Sequence, residues 1–171
     1  MGGLDPPIHQ TKSLMPRFRA AMDGRLKGAH DGGDGMKILA ALLILGAVVT
    51  LAYWTNYFIA GDVRVLPDTW YSAFEDSFPV ADGWMALCML LAGIGLWRGT
   101  RGGALFGLMA GSALIYLAAM DITFNVEHGL YALLPHSGPM LTEAWINASS
   151  LGLGVATLLM SWRAATRSPS G

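Results

Sequence analysis

Four apolar runs, each close to or above the length that crosses a bilayer, constrain this chain more than any other feature. Ile38–Ile59 has 22 residues, which reach about 33 Å as a helix against a hydrocarbon core of roughly 30 Å. Ala104–Phe124 and Ala144–Trp162 have 21 and 19 residues with one or two polar interruptions each, and a shorter run begins at Val80 or Gly83 and ends at Trp97. Backbone polar groups in lipid must be satisfied within the segment, so such runs read as helices. The predicted fold is all-α: a polytopic membrane protein with spans at about 38–59, 80–97, 104–124 and 144–162. A short turn from Arg98 to Gly103 makes an up-down-up-down four-helix transmembrane bundle the simplest arrangement.

Composition agrees. Of 171 residues, 53% are hydrophobic and only 13% charged, against roughly a quarter charged in soluble domains, which argues against a water-soluble enzyme. The single cysteine, Cys88, rules out an internal disulfide, a CxxC redox pair and a thiol-built zinc site.

Residues 1–36 read as a basic flexible tail ending in a glycine-rich linker, Gly28–Gly35, which is expected to break any helix. Residues 37–163 form the transmembrane domain and 164–171 a second short tail. Lysine and arginine fall almost entirely on one side of the spans: ten of the eleven, with Arg64 alone on the other. By the positive-inside rule both termini are expected to be cytoplasmic. Trp54, Trp84 and Trp145 then sit at outer ends and Trp97 and Trp162 at inner ones, as an aromatic belt would. The expected location is a plasma membrane, and an arginine excess of eight to three over lysine points to a GC-rich bacterial source. The basic tail is explained by orientation, so nucleic acid is not an expected partner.

Eight of the twelve acidic residues lie in the outer loops or outer halves of spans. Ionisable groups in a membrane helix are costly and call for a reason. Asn56 on span one, Asp82 on span two, Asp121 and Asn125 on span three, and Glu143 and Asn147 on span four lie at similar depth, so a polar pocket is expected near the outer leaflet. Gly107, Gly111, Leu114, Ala118, Asp121 and Asn125 follow a 4-3-4-3-4 spacing that places them on one stripe. Glu143, Asn147, Ser150 and Gly154 do the same on span four, and Thr50, Tyr53 and Tyr57 on span one.

Asp82 and Glu143 stand at predicted helix starts, where the macrodipole favours acids by about 0.3–1 kcal/mol, so each has a structural explanation. Asp121 stands near a helix end, where the same dipole opposes it, and is the strongest functional candidate. The asparagines suit interhelical hydrogen bonds as well as a site. Glu127, His128 and His136 lack any zinc-binding spacing, and neither a metal nor a cofactor is expected. The loop 61–79, with Trp70, Tyr71, Phe74, Glu75, Asp76 and Phe78, is either a lid over the pocket or an anchor at the headgroups.

A desolvated carboxylic acid beside a carboxylate can isomerise, cyclise or open epoxides in lipophilic molecules. Asp121, Glu143 and Asp82 are the candidate catalytic residues. Asn56, Tyr53, Tyr57, Asn125, Asn147 and Trp54 are the candidate contacts to a hydrophobic small molecule, the aromatic ones through their ring faces. Two other classes compete: a non-catalytic membrane subunit or sensor with structural acids, and a proton-coupled exporter, which would need the homo-oligomer that glycine stripes permit. The segment Tyr57–Arg64, with Gly61-Asp62-Val63-Arg64, is similar to a GDxR piece of the emopamil-binding/sterol-isomerase superfamily. A small bundle with intramembrane acids resembles that superfamily in plan. The likeness covers a handful of residues, and no residue roles are carried over from it.

Overall fold

The computed structural model describes residues 11–60 and 65–166, with side chains from Gly33 onward. Five helices follow one another: α1 (Thr11–Ile59), α2 (Thr69–Glu75), α3 (Pro79–Trp97), α4 (Arg101–Glu127) and α5 (Gly138–Thr166), with a 3-10 turn at Leu130–Leu133 before α5. No strand occurs among the described residues. Among the described residues, four stretches are long and apolar enough to cross a membrane: Gly33–Ile59, Thr69–Trp97, Arg101–Glu127 and Gly138–Thr166. The protein is therefore the all-helical four-span bundle that the apolar runs predict. Contacts divide the chain into two units, Met1–Met36 and Lys37–Gly171, the second of which holds the spans except for Gly33–Met36.

Three boundaries differ from expectation, each for a local reason. Gly28–Gly35 is helical, because glycine lowers helix propensity by about 1 kcal/mol per residue but, unlike proline, removes no backbone donor. The loop 61–79 contains helix α2, whose Tyr71 and Glu75 are buried. Helix α5 starts at Gly138 instead of near Ala144, which moves Glu143 out of the first turn and removes the macrodipole as its explanation.

Small residues set how closely the spans approach. A Cβ on Gly95 of α3 would lie 2.4 Å from the Gly103 Cα of α4, and one on Gly103 would lie 2.3 Å from the Gly95 carbonyl carbon. The turn between them holds Gly99 at a positive φ of 67°, and the Thr100 side chain caps α4 by accepting from the Gly103 N–H at 3.3 Å. Between α4 and α5 a Cβ on Gly111 would meet the Gly154 carbonyl oxygen at 2.9 Å. On the other side of the bundle a Cβ on Gly93 of α3 would meet the Ala40 carbonyl of α1 at the same distance. The close backbone approach at these points depends on the missing side chain.

Large apolar side chains cover the outside: Leu45, Val48, Leu105, Val155 and Leu159 are all exposed, as a lipid-facing surface requires. Trp84, Trp97, Trp145 and Trp162 are exposed as well. Trp54 departs from the expected belt, for it is buried with its indole N–H committed inside the bundle.

Candidate functional site

Helix periodicity brings the four spans together around one cavity of about 110 Å³. Helix α1 contributes Thr50, Tyr53 and Trp54, α3 contributes Asp82 and Met85, α4 contributes Leu114, Leu117 and Asp121, and α5 contributes Glu143, Asn147 and Ser150. Glu75 at the end of α2 and Phe78 just before α3 complete the wall. Four carboxyl groups, Glu75, Asp82, Asp121 and Glu143, thus border one small space.

Each predicted catalytic residue lines this cavity, and each is held by a specific donor. Trp54 Nε1 donates to Asp82 Oδ2 at 2.8 Å. Asn147 Nδ2 donates to Asp121 Oδ2 at 2.6 Å. Glu143 accepts at both oxygens, from the Tyr71 hydroxyl at 2.9 Å and from the Asn125 amide. The Tyr71 hydroxyl thereby joins α2 to α5. Asn125 Oδ1 is buried with no hydrogen-bond partner among the described residues.

The predicted binding residues divide. Tyr53, Trp54 and Asn147 line the cavity. Asn125 acts behind it, on Glu143. Tyr57 is buried but donates to Asp76 Oδ1 at 2.9 Å, which ties α1 to the α2–α3 connection. Asn56 is exposed and not part of the lining; it has the right depth but the wrong face, since a helix turns about 200° between Trp54 and Asn56. His128, at the end of α4, stacks on Trp70 with ring centroids 5.1 Å apart and an interplanar angle of 22°. No group of three His, Cys, Asp or Glu side chains among the described residues is placed to hold a metal ion.

The sequence places Glu75 and Tyr71 in a loop that is either lid or anchor and gives neither a role at the site; both belong to a helix of seven residues, too short for its buried face to show as a period. Its position comes from aromatic packing on α4: Phe74 stacks on Phe124 with centroids 3.6 Å apart and planes 3° from parallel. Tyr71 also joins Leu130 and Met140 in a small second core. Of α2, Glu75 lines the cavity, while Trp70 is exposed.

Losing the indole donor tests how the cavity is held. Trp54→Phe leaves Asp82 without its hydrogen bond while keeping most of the ring, and is expected to lower stability by about 1–3 kcal/mol. Reversible unfolding in mixed micelles, followed by helical circular dichroism, measures this.

Comparison of the chain with protein families, curated proteins and solved structures finds no match. Gly61–Arg64, which carry the likeness to the emopamil-binding superfamily, lie outside the described residues.

Proposed function

We propose that this protein is a membrane-embedded acid–base enzyme acting on a lipophilic substrate by isomerisation, cyclisation or epoxide opening. One observation carries this reading: carboxyl groups from α2, α3, α4 and α5 converge on a single cavity whose other walls are largely apolar and aromatic. Such walls exclude water and leave proton transfer to the acids. The hydrogen bonds divide the roles. Glu143 has both oxygens occupied as acceptors, a pattern suited to an ionised, fixed carboxylate. Asp121 receives a single hydrogen bond from Asn147 and retains capacity to give or take a proton on the cavity side. Asp121 is therefore the proposed proton-transfer residue, with Glu75 as its partner across the cavity. In an isomerisation one carboxyl group gives a proton and the other recovers one, so no proton is consumed overall. The lysine and arginine distribution supports a pocket facing the outer leaflet of a bacterial plasma membrane, with both termini inside.

A second reading, a non-catalytic subunit with structural acids, is favoured by the fact that three of the four acids already hold hydrogen bonds across helices. The two part on turnover. Nanodisc-embedded protein incubated with lipophilic epoxides and polyenes in deuterated, ¹⁸O-enriched water is expected to place deuterium or ¹⁸O in at least one of them, above a heat-denatured control, by mass spectrometry. A folded protein that labels none of them would leave the structural reading standing.

A further inference from the structure

The cavity has two walls of different character. On α3 Met85 is buried and Asp82 half-buried, and Phe78 and, on α4, Leu114, Leu117 and Ala118 are buried, whereas Val49 of α1 is 51% exposed and Ile146 of α5 is 37% exposed. Tyr53 and Ser150, beside them on the same two helices, are half-buried. Residues that line an internal cavity and also lie on the outer surface mark where the two communicate. One turn deeper, α1 and α5 meet again, since a Cβ on Gly46 would lie 3.7 Å from Leu153. Above, Glu75 and Phe78 cover the cavity. The gap between α1 and α5 is therefore bounded below and above, and it opens sideways, among side chains that face lipid.

Size adds a second constraint. At about 110 Å³ the cavity is smaller than the ~150 Å³ engineered cavity that accommodates a benzene ring, so it admits only a compact group smaller than that ring. A lipophilic molecule larger than that can place only one end inside.

We infer that the space between α1 and α5 is a lateral portal, with Val49 and Ile146 as its jambs, that admits the compact reactive end of a membrane amphiphile while its apolar remainder stays in the bilayer. The inference rests on the acid–base reading for calling that end reactive, but the portal is tested without turnover. Nanodiscs are loaded with a long-chain alkyl diazirine, irradiated, and the protein is mapped by peptide mass spectrometry. Labelling is expected on the cavity carboxyl groups Asp121 and Glu75. Val49→Trp combined with Ile146→Trp is expected to lower it at least fivefold, while Leu45→Trp, on the exposed face of α1 one turn deeper, leaves it unchanged. Ile146→Trp alone serves if the double variant does not fold, with a threefold loss expected. A smaller loss, or wild-type protein without label in the cavity, overturns the portal. A membrane-impermeant cationic diazirine that labels the same carboxyl groups equally in wild type and plugged protein overturns it too, by showing entry from water. Loss of isotope incorporation with intact, plug-sensitive labelling would instead remove the acid–base reading and keep the portal.

Discussion

Asp121→Asn is expected to lower turnover at least a hundredfold while leaving the folded, inserted yield close to wild type. Positioned proton transfer contributes about 10²–10⁴ in rate, and an amide can neither deliver nor accept the proton. The substitution is nearly isosteric, and its carbonyl oxygen can still accept from Asn147 Nδ2, which now lies 2.6 Å from the carboxylate. Glu143→Gln should behave in the opposite way. Glu143 accepts from both Tyr71 and Asn125, whereas a glutamine amide has one acceptor oxygen, so a buried donor loses its partner at a cost of about 1–3 kcal/mol. Stability falls first there, and any activity falls with it. The comparison is made by isotope incorporation at matched folded protein, with unfolding in mixed micelles as the second axis. Unchanged turnover in Asp121→Asn would take Asp121 out of the chemistry and pass its role to Glu75, for which Glu75→Gln is the matching variant.

The contrast between the two acids was legible only in part before the structure. A helix in lipid has one face toward protein and one toward hydrocarbon, so small and polar residues at helical spacing identify the inner face; Gly107, Gly111, Leu114, Ala118 and Asn125 are buried accordingly, and Asp121 lines the cavity. The same stripe on α5 buries Glu143, Asn147 and Gly154. Asn56 was misplaced because depth was read without azimuth: Thr50, Tyr53 and Tyr57 already defined the inner face of α1, and Asn56 does not fall on it. The sequence offers Trp54 two places, the interfacial belt and the pocket wall, and a tryptophan inside a bundle is well placed when a carboxylate receives its N–H. The loop of Glu75 and Tyr71 is legible as a possible lid, but the contacts of these two residues are not. Their contacts are with residues tens of positions away, Tyr71 with Glu143 and its neighbour Phe74 with Phe124, and no local pattern encodes a seven-residue helix docked by its aromatic rings.

Gly103→Val is expected to be the most damaging single substitution in the bundle, costing at least about 3 kcal/mol and most of the folded yield. Overpacking a yielding core costs about 1–3 kcal/mol, but here the new Cβ would stand 2.3 Å from the Gly95 carbonyl carbon and 2.4 Å from the Leu96 nitrogen. Both are backbone atoms, which cannot rotate away as a side chain can. Relief requires α3 and α4 to separate, and because the turn Arg98–Thr100 is short and ties them by Thr100 N–H to the Gly95 carbonyl at 2.9 Å, the strain is not absorbed locally. Separation would also carry Asp82 on α3 away from Asp121 on α4, so any surviving folded protein should have lost the cavity. The adjacent Gly102 is the control: a Cβ there meets nothing within 4 Å, and Gly102→Ala should leave the fold intact or raise stability by up to about 1 kcal/mol through helix propensity. Monodispersity after extraction and micellar unfolding of the two variants decide the matter. Equal stability of Gly103→Val and Gly102→Ala would mean that the α3–α4 seam is looser than its glycines imply, and that the placement of Asp82 against Asp121 does not depend on it.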